Sequence, residues 1–392
     1  MQTIFDKVAS INSNIAVLTM SETTTPSPPK DFKTRAFVVQ KPGDPFTMTP
    51  IILDEVRDDE FLIEMKYSGI CHTDIVLQQG LLPLVDFPAI FGHEGAGTIK
   101  AIGAGVKDKS LKVGDPVLLS FNVCGECPQC SAGHPAYCHV HPQVNHNAVR
   151  LEDRGTPARL EDGTSVRSQY FGQSSFANHS IVKERCVVKC EAPEAMGYFA
   201  AMGCGFQTGA GTVLNVLKPK PDDSIVVFGS GGVGLAAIMA AHSLGVKTVV
   251  AIDLQPGKLE LAKTVGATDT IDASKVNEVV KEIKRVCERT SGATFSIDCT
   301  GVPKVIEQCI ECLAPCGTAA TVGVPPPDAK ISINALNFLL ENKRYIGVIE
   351  GDSFPQKVRA HYCPFDAPRR AMAAAFKTLD CYQDFLLIFC HV

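Results

Sequence analysis

Ser224-Ile-Val-Val-Phe-Gly-Ser-Gly-Gly-Val-Gly-Leu-Ala-Ala-Ile-Met-Ala-Ala241 runs from an apolar, β-branched stretch through a glycine turn into an alanine-rich helical pattern. Gly229, Gly231 and Gly234 fit G-x-G-x-x-G, with Gly232 as an extra glycine and Val233 between. In such a unit the first glycine allows the strand-to-helix turn, the second lets backbone approach a pyrophosphate, and the third permits close helix–sheet packing. The helix N-terminus offers free N–H groups and the positive end of its dipole to the anion. On its own the pattern also suits a βαβ unit of some other α/β protein. The continuation narrows it: Val246-Lys-Thr-Val-Val-Ala-Ile-Asp253 is a second buried strand. It ends in an acid about 20 residues past the glycines, where a ribose-binding carboxylate belongs. Leu254 and Gln255 follow, with no arginine to meet a 2′-phosphate, so NAD is favoured over NADP. Lys258 is placed either against the ribose or in solvent.

The 392 residues suggest two domains, each large enough for its own core. Hydrophobic residues at 45% and charged residues at 20% describe an ordinary globular chain. A formal net charge of −5 supplies no footprint for nucleic acid or an anionic membrane. No apolar run reaches the roughly 18 residues that span a bilayer. Sixteen cysteines are many, but in a long chain without a secretory h-region they read as reduced. A cytoplasmic protein is expected, with some cysteines on metal and others, such as Cys299, Cys309 and Cys312, in the core.

Residues 1–33 read as a mobile N-terminal extension. Thr23-Thr-Thr-Pro-Ser-Pro-Pro is too polar and proline-rich to bury a core, and the absence of arginine before it argues against a mitochondrial leader. From Thr34, alternating apolar residues with Gly and Pro punctuation suggest a mostly antiparallel, barrel-like segment.

Three pieces of that segment look chemical: Gly69-Ile-Cys71-His72-Thr73-Asp74, Gly92-His93-Glu94-Gly95 and Met202-Gly-Cys204-Gly205. A lone Cys or His is more often a satisfied core residue. Together, Cys71, His93 and Cys204 match a Cys₂His catalytic zinc set with an open fourth position. Separately, Cys124-Gly-Glu-Cys127-Pro-Gln-Cys130 and Cys138 supply four thiolates in one loop. They can close a tetrahedral zinc shell or, alternatively, hold an iron–sulfur cluster. A closed zinc shell would be structural. His134 and His139 are surplus to it and read as solvent-facing.

These motifs, in this order, resemble the zinc-dependent medium-chain alcohol dehydrogenases over residues 34–353. The resemblance implies a discontinuous GroES-like catalytic domain, residues 34–205 and 345–392, around a Rossmann doubly wound parallel sheet, residues 206–344. It implies two Zn²⁺ per chain, NAD, a small alcohol or aldehyde substrate, no nucleic-acid or membrane partner, and a homodimer or homotetramer. Cys71, His93 and Cys204 would bind the catalytic zinc, Glu94 would serve as a transient ligand, and Asp74 would orient the histidine. Thr73 would hydrogen-bond the substrate oxygen and pass its proton outward, while the alcohol carbon gives hydride to NAD. A turn-capping role is the plain alternative for Thr73, and a carboxylate paired with a base for Glu94. His72 would meet the pyrophosphate or remain in solvent. Pocket walls would come from Ser120, Phe121 and the Val144–Phe171 loop. Asn334-Ala-Leu-Asn-Phe-Leu-Leu would join the subunit contact.

Two departures stand out. Val76 replaces a histidine that ends the proton relay in many relatives; with His72, this is similar to the aryl- and benzyl-alcohol subgroup and to fungal secondary-metabolism enzymes. After Gly351-Asp-Ser-Phe-Pro-Gln, Tyr362-Cys-Pro-Phe-Asp-Ala-Pro-Arg-Arg-Ala-Met comes early, so the second catalytic part reads as truncated or divergent. Two alternatives follow: an S-hydroxymethylglutathione (formaldehyde) dehydrogenase relative sharing both zinc sites, or an inactive zinc-binding relative.

Overall fold

In the computed structural model, residues 30–354 are described. The expected extension at 1–29 and the tail from 355, including Tyr362 to Met372 and Arg369, lie outside them.

The first half is built from two five-stranded sheets. One runs Ala89–Ile90, Phe32–Val39, Thr47–Leu53, Ala158–Arg159, Ser165–Val166; the other runs Val187–Lys189, Pro116–Leu119, Glu94–Ile102, Glu60–Gly69, His179–Lys183. Their ladders are antiparallel, as the alternating pattern requires. Val38, Ile51, Phe91 and Phe121 fill the space they enclose. This is the expected barrel-like, GroES-like arrangement.

The second half is a six-stranded parallel sheet in the order Asp269–Asp272, Thr248–Asp253, Ser224–Phe228, Ala293–Asp298, Leu313–Thr321, Arg344–Gly347. Counted within the sheet, that is 3-2-1-4-5-6, the doubly wound order. Ser224–Phe228 sits at its centre and is buried along its whole length. A strand covered on both faces must be continuously apolar, which is why Ile225, Val226 and Val227 show no alternation. The sheet runs on through Gly347, past the boundary expected at Arg344.

The helix Pro256–Thr264 opens on a proline, which is well suited to the first helical turn. The helix Val279–Val286 is short, and the chain then tightens into a 3₁₀ turn over Glu288–Thr290.

One ion-pair cluster is embedded in the barrel. Arg150 and Glu60 are both 0% exposed, and the guanidinium donates twice to the carboxylate, Nε to Oε1 at 2.8 Å and Nη2 to Oε2 at 2.8 Å. Gln169 Nε2 adds a third hydrogen bond at 3.0 Å, and the Arg57 N–H a fourth at 3.1 Å. No local pattern in the chain marks this cluster, because Glu60 lies 90 residues from Arg150 and 109 from Gln169.

Candidate active site

Cys71 precedes the short helix His72–Gln78, and Asp74 lies in its first turn. The Asp74 carboxylate ties two segments together, its own helix start and the Gly92–His93 turn. Its Oδ2 accepts the Cys71 N–H at 2.9 Å, in the manner of a helix-capping side chain. Its Oδ1 lies 2.9 Å from His93 Nδ1 and accepts the Gly92 N–H at 3.0 Å. Gly92 has φ +88°, and a Cβ there would collide with Phe176 and Ser175. The turn therefore depends on glycine to deliver His93 onto Asp74. With Nδ1 engaged, the opposite nitrogen, Nε2, is buried and has no protein hydrogen-bond partner.

Cys204 approaches from the far side, at the start of the Gly205–Gly211 helix. The Sγ atoms of Cys71 and Cys204 and a ring nitrogen of His93 all lie within 4.8 Å of one another. Three ligand atoms of this chemistry around an orphaned imidazole nitrogen fit a zinc ion. The Cys204 thiol donating to Cys71 pushes the Cys71 thiol well down.

Thr73 lies in the first turn of the helix, 3.6 Å from Cys71 Sγ through its hydroxyl. Glu94 is buried, and its Oε1 accepts the Gly205 N–H at 3.2 Å in place of a basic partner. Burial, reinforced by Cys71, pushes its carboxyl up to about 8. His72 is exposed and Val76 half-buried. Gly205 joins the two halves: a Cβ there would lie 3.4 Å from Glu94 Oε1 and 3.7 Å from Val233 Cγ2, in the first turn after the glycines.

Those glycines behave as the motif requires. Gly229 holds φ +90° at the end of the central strand. A Cβ on Gly231 would meet no protein atom within 4 Å, so packing does not explain the missing side chain, whereas a pyrophosphate would. Asp253 takes the Ser230 N–H on Oδ2 at 2.8 Å and the Gln255 N–H on Oδ1 at 3.0 Å. The fingerprint acid is thus held against the glycine loop. Lys258 is half-buried on the following helix.

The four-cysteine loop also closes. Cys124 Sγ is 3.5 Å from Cys138 Sγ and 4.0 Å from Cys130 Sγ, too far apart for disulfides. The edge of a tetrahedron with Zn–S arms of ~2.3 Å is about 3.8 Å, matching this spacing. Backbone N–H groups of Cys127 and His139 point at Cys124 Sγ and Cys127 Sγ at 3.4 and 3.5 Å. Donation from the backbone of Cys130, then His139, brings the Cys127 thiol down to about 6. His134 and His139 are exposed and outside the cluster, and His134 Nδ1 instead lies 2.7 Å from Asp352.

Gln207 and Glu350, neighbours of the site, gave no sequence signal, and Phe171 was expected only at the end of a pocket-wall loop. Gln207 donates from Nε2 to Glu350 at 2.8 Å, to Ser120 Oγ at 2.9 Å and to the Gly203 carbonyl at 2.7 Å, bracing the Cys204 turn. Phe171 stacks on His93 with ring centroids 4.5 Å apart. Neither residue belongs to a motif; both act through contacts made only in the folded chain.

A barrel-like domain carrying a Cys₂His cluster, joined to a doubly wound sheet with a dinucleotide fingerprint, defines a zinc-type, medium-chain oxidoreductase. Comparison with known proteins agrees. Residues 57–193 match the alcohol dehydrogenase GroES-like domain and residues 232–363 the zinc-binding dehydrogenase domain. The chain is 37% identical to geraniol dehydrogenase of Castellaniella defragrans, over 85% of this chain and 89% of that one. Among solved structures, benzyl alcohol dehydrogenase of Acinetobacter calcoaceticus superposes with a TM-score of 0.81 at 32% identity, covering 88% and 91% of the two chains. A zinc-binding alcohol dehydrogenase domain protein from Burkholderia ambifaria also gives 0.81, at 33% identity and 91% and 97% coverage. The chain belongs to the zinc-dependent alcohol dehydrogenase family and is an alcohol oxidoreductase. No helix among the described residues is long and apolar enough to cross a membrane.

Proposed function

We propose that this chain moves hydride between a primary, aromatic-type alcohol and NAD, with one zinc at Cys71, His93 and Cys204 and a second at Cys124, Cys127, Cys130 and Cys138. The observation that carries the reading is the orphaned Nε2 of His93, facing two thiols one contact away from the dinucleotide turn. Zinc, when bound, supplies a Lewis acid that favours the ionised hydroxyl of an alcohol.

The protein does the rest. Asp74 keeps His93 in the tautomer that leaves Nε2 free for metal. Thr73 would hydrogen-bond the substrate hydroxyl and relay its proton, passing its own outward to water as it accepts the new one, and the Gly229–Gly234 turn would hold the cofactor's pyrophosphate. Asp253 favours the free ribose diol of NAD over a 2′-phosphate, since carboxylate and phosphate would repel. Glu94, buried beside the cluster, is placed to act as a transient ligand. The fold and the benzyl and geraniol relatives support an alcohol of that general kind. The Ala335–Leu340 helix leaves Leu336, Leu339 and Leu340 62–74% exposed, which supports a second copy covering it. The inactive-relative alternative turns on residues from 355 onward, outside the described chain.

The test measures zinc content and initial rates for benzyl alcohol, geraniol and S-hydroxymethylglutathione with NAD and with NADP. Two zincs per chain and turnover of the first two alcohols with NAD are expected. Preference for the glutathione adduct, or zinc-free protein of full activity, would overturn the reading.

A further inference from the structure

Three buried polar atoms near the cluster have no protein hydrogen-bond partner: His141 Nε2, His146 Nδ1 and Tyr170 Oη. They come from two segments of the chain and meet around one ring. Phe171 has His141 at 6.3 Å, His146 at 5.4 Å and Tyr170 at 4.9 Å between ring centroids, each nearly edge-on. The two histidines are 5.6 Å apart. Phe171 in turn stacks on His93, and Tyr170 packs edge-on against the same imidazole at 5.4 Å. Phe171 holds φ +50°, a left-handed conformation that a bulky residue keeps only when its surroundings impose it.

Buried polar groups are nearly always hydrogen-bonded, because an unsatisfied one loses its water without compensation. Tyr170 is 0% and His141 6% exposed, so both forgo water. Gathering three such atoms one aromatic ring away from a reaction centre is costly unless a ligand satisfies them. We propose that His141 and His146, with Tyr170 on the inner side, form a polar subsite that recognises a second, uncharged hydroxyl or carbonyl group on the alcohol substrate. This rests on the reading that Cys71, His93 and Cys204 mark the reaction centre.

The character of the three groups sets the ligand class. Each of the three groups is buried with one polar atom unpartnered. Imidazole and phenol groups can donate to or accept from a hydroxyl, whereas a carboxylate brought among them would lose its water with no lysine or arginine of the trio to pair with it. An aromatic body would lie along Phe171 with its polar group reaching the histidines.

The test compares benzyl alcohol, 3- and 4-(hydroxymethyl)phenol and 4-(hydroxymethyl)benzoate as substrates of the full zinc-loaded chain. At least one hydroxymethylphenol should exceed benzyl alcohol in kcat/KM by about tenfold, mainly through KM, for one good buried hydrogen bond. The benzoate should be the poorest. In His141→Phe and His146→Leu that selectivity ratio should collapse toward unity, and His141→Gln, which keeps a polar group at similar reach, should restore part of it. A wild-type ratio below about twofold, or a ratio that survives both substitutions, overturns the proposal. If no alcohol is turned over, the dehydrogenase reading fails by itself. Calorimetric binding of 4-hydroxybenzamide against benzamide then decides the subsite: about tenfold tighter binding, lost in His141→Phe, upholds it, and equal binding overturns it.

Discussion

Asp74 Oδ1 and His93 Nδ1 are 2.9 Å apart, and both side chains are entirely shielded from solvent. The carboxylate fixes which imidazole nitrogen faces the cysteines, so in the proposed zinc site it would set metal affinity without touching the metal. Asp74→Asn should weaken zinc at this site by about 10–100-fold while leaving the four-cysteine zinc in place. Zinc retained per chain during dialysis against a graded chelator reads this directly. Zinc retention indistinguishable from that of wild type would contradict the assignment.

Arg150 and Glu60 form a different buried pair, one that bears on folding. Replacing Glu60 by Gln leaves the guanidinium without its bidentate partner and should cost about 3–5 kcal/mol in a urea melt. Burial raises the Glu60 carboxyl, but hydrogen bonds and charge from Arg150, helped by Lys183, more than offset it, so the net shift is downward from 4.5. A carboxylate lowered on folding adds stability above its unfolded value. That contribution should drain away as pH falls below about 4.5. Wild-type stability should therefore drop through this range, and the drop should be shallower in the Glu60→Gln variant. Parallel pH curves for the two proteins would refute the account.

Asp253 closes the cofactor turn by accepting the Ser230 N–H. Asp253→Ser keeps a small polar group and removes the charge that a 2′-phosphate would meet. The ratio of kcat/KM for NADP over NAD should rise by about 10–100-fold, the worth of one to two tenfold steps of 1.4 kcal/mol. An unchanged ratio would show that cofactor choice is made elsewhere.

Val76 lies three residues after Thr73 on the same short helix, close to the same face. Val76→His would add a group that titrates near neutrality beside the hydroxyl proposed to release the proton. The pH–rate profile for alcohol oxidation should gain an apparent pKa of about 6–7.5 and rise severalfold near pH 7. Superimposable profiles would mean the proton leaves by another path.

The legible parts of this chain were those with local physical signatures. Gly229 to Asp253 could be read because strand, turn and helix follow one another without a break, each with its own periodicity. Cys124 to Cys138 could be read because four thiolates in a single loop have few other uses. The pairing of Asp74 with His93 was expected only through likeness to a family, since no spacing rule connects the two, 19 residues apart. Gln207 and Glu350 were missed because glutamine and glutamate are common everywhere, and Phe171 was named only as the end of a pocket-wall loop, not as the ring stacked on His93. Only their neighbours make them part of a site.

The amino-acid sequence by itself determined the two kinds of sheet, the dinucleotide turn and the supply of metal-binding side chains, all of which follow from hydrophobic period, glycine placement and ligand chemistry over short stretches. The tertiary structure alone decided that Cys71, His93 and Cys204 converge, that Glu60 neutralises Arg150, and that His141, His146 and Tyr170 gather around Phe171. Those are contacts between distant segments, and their energies come from burial and from hydrogen bonds completed only after the chain has closed on itself.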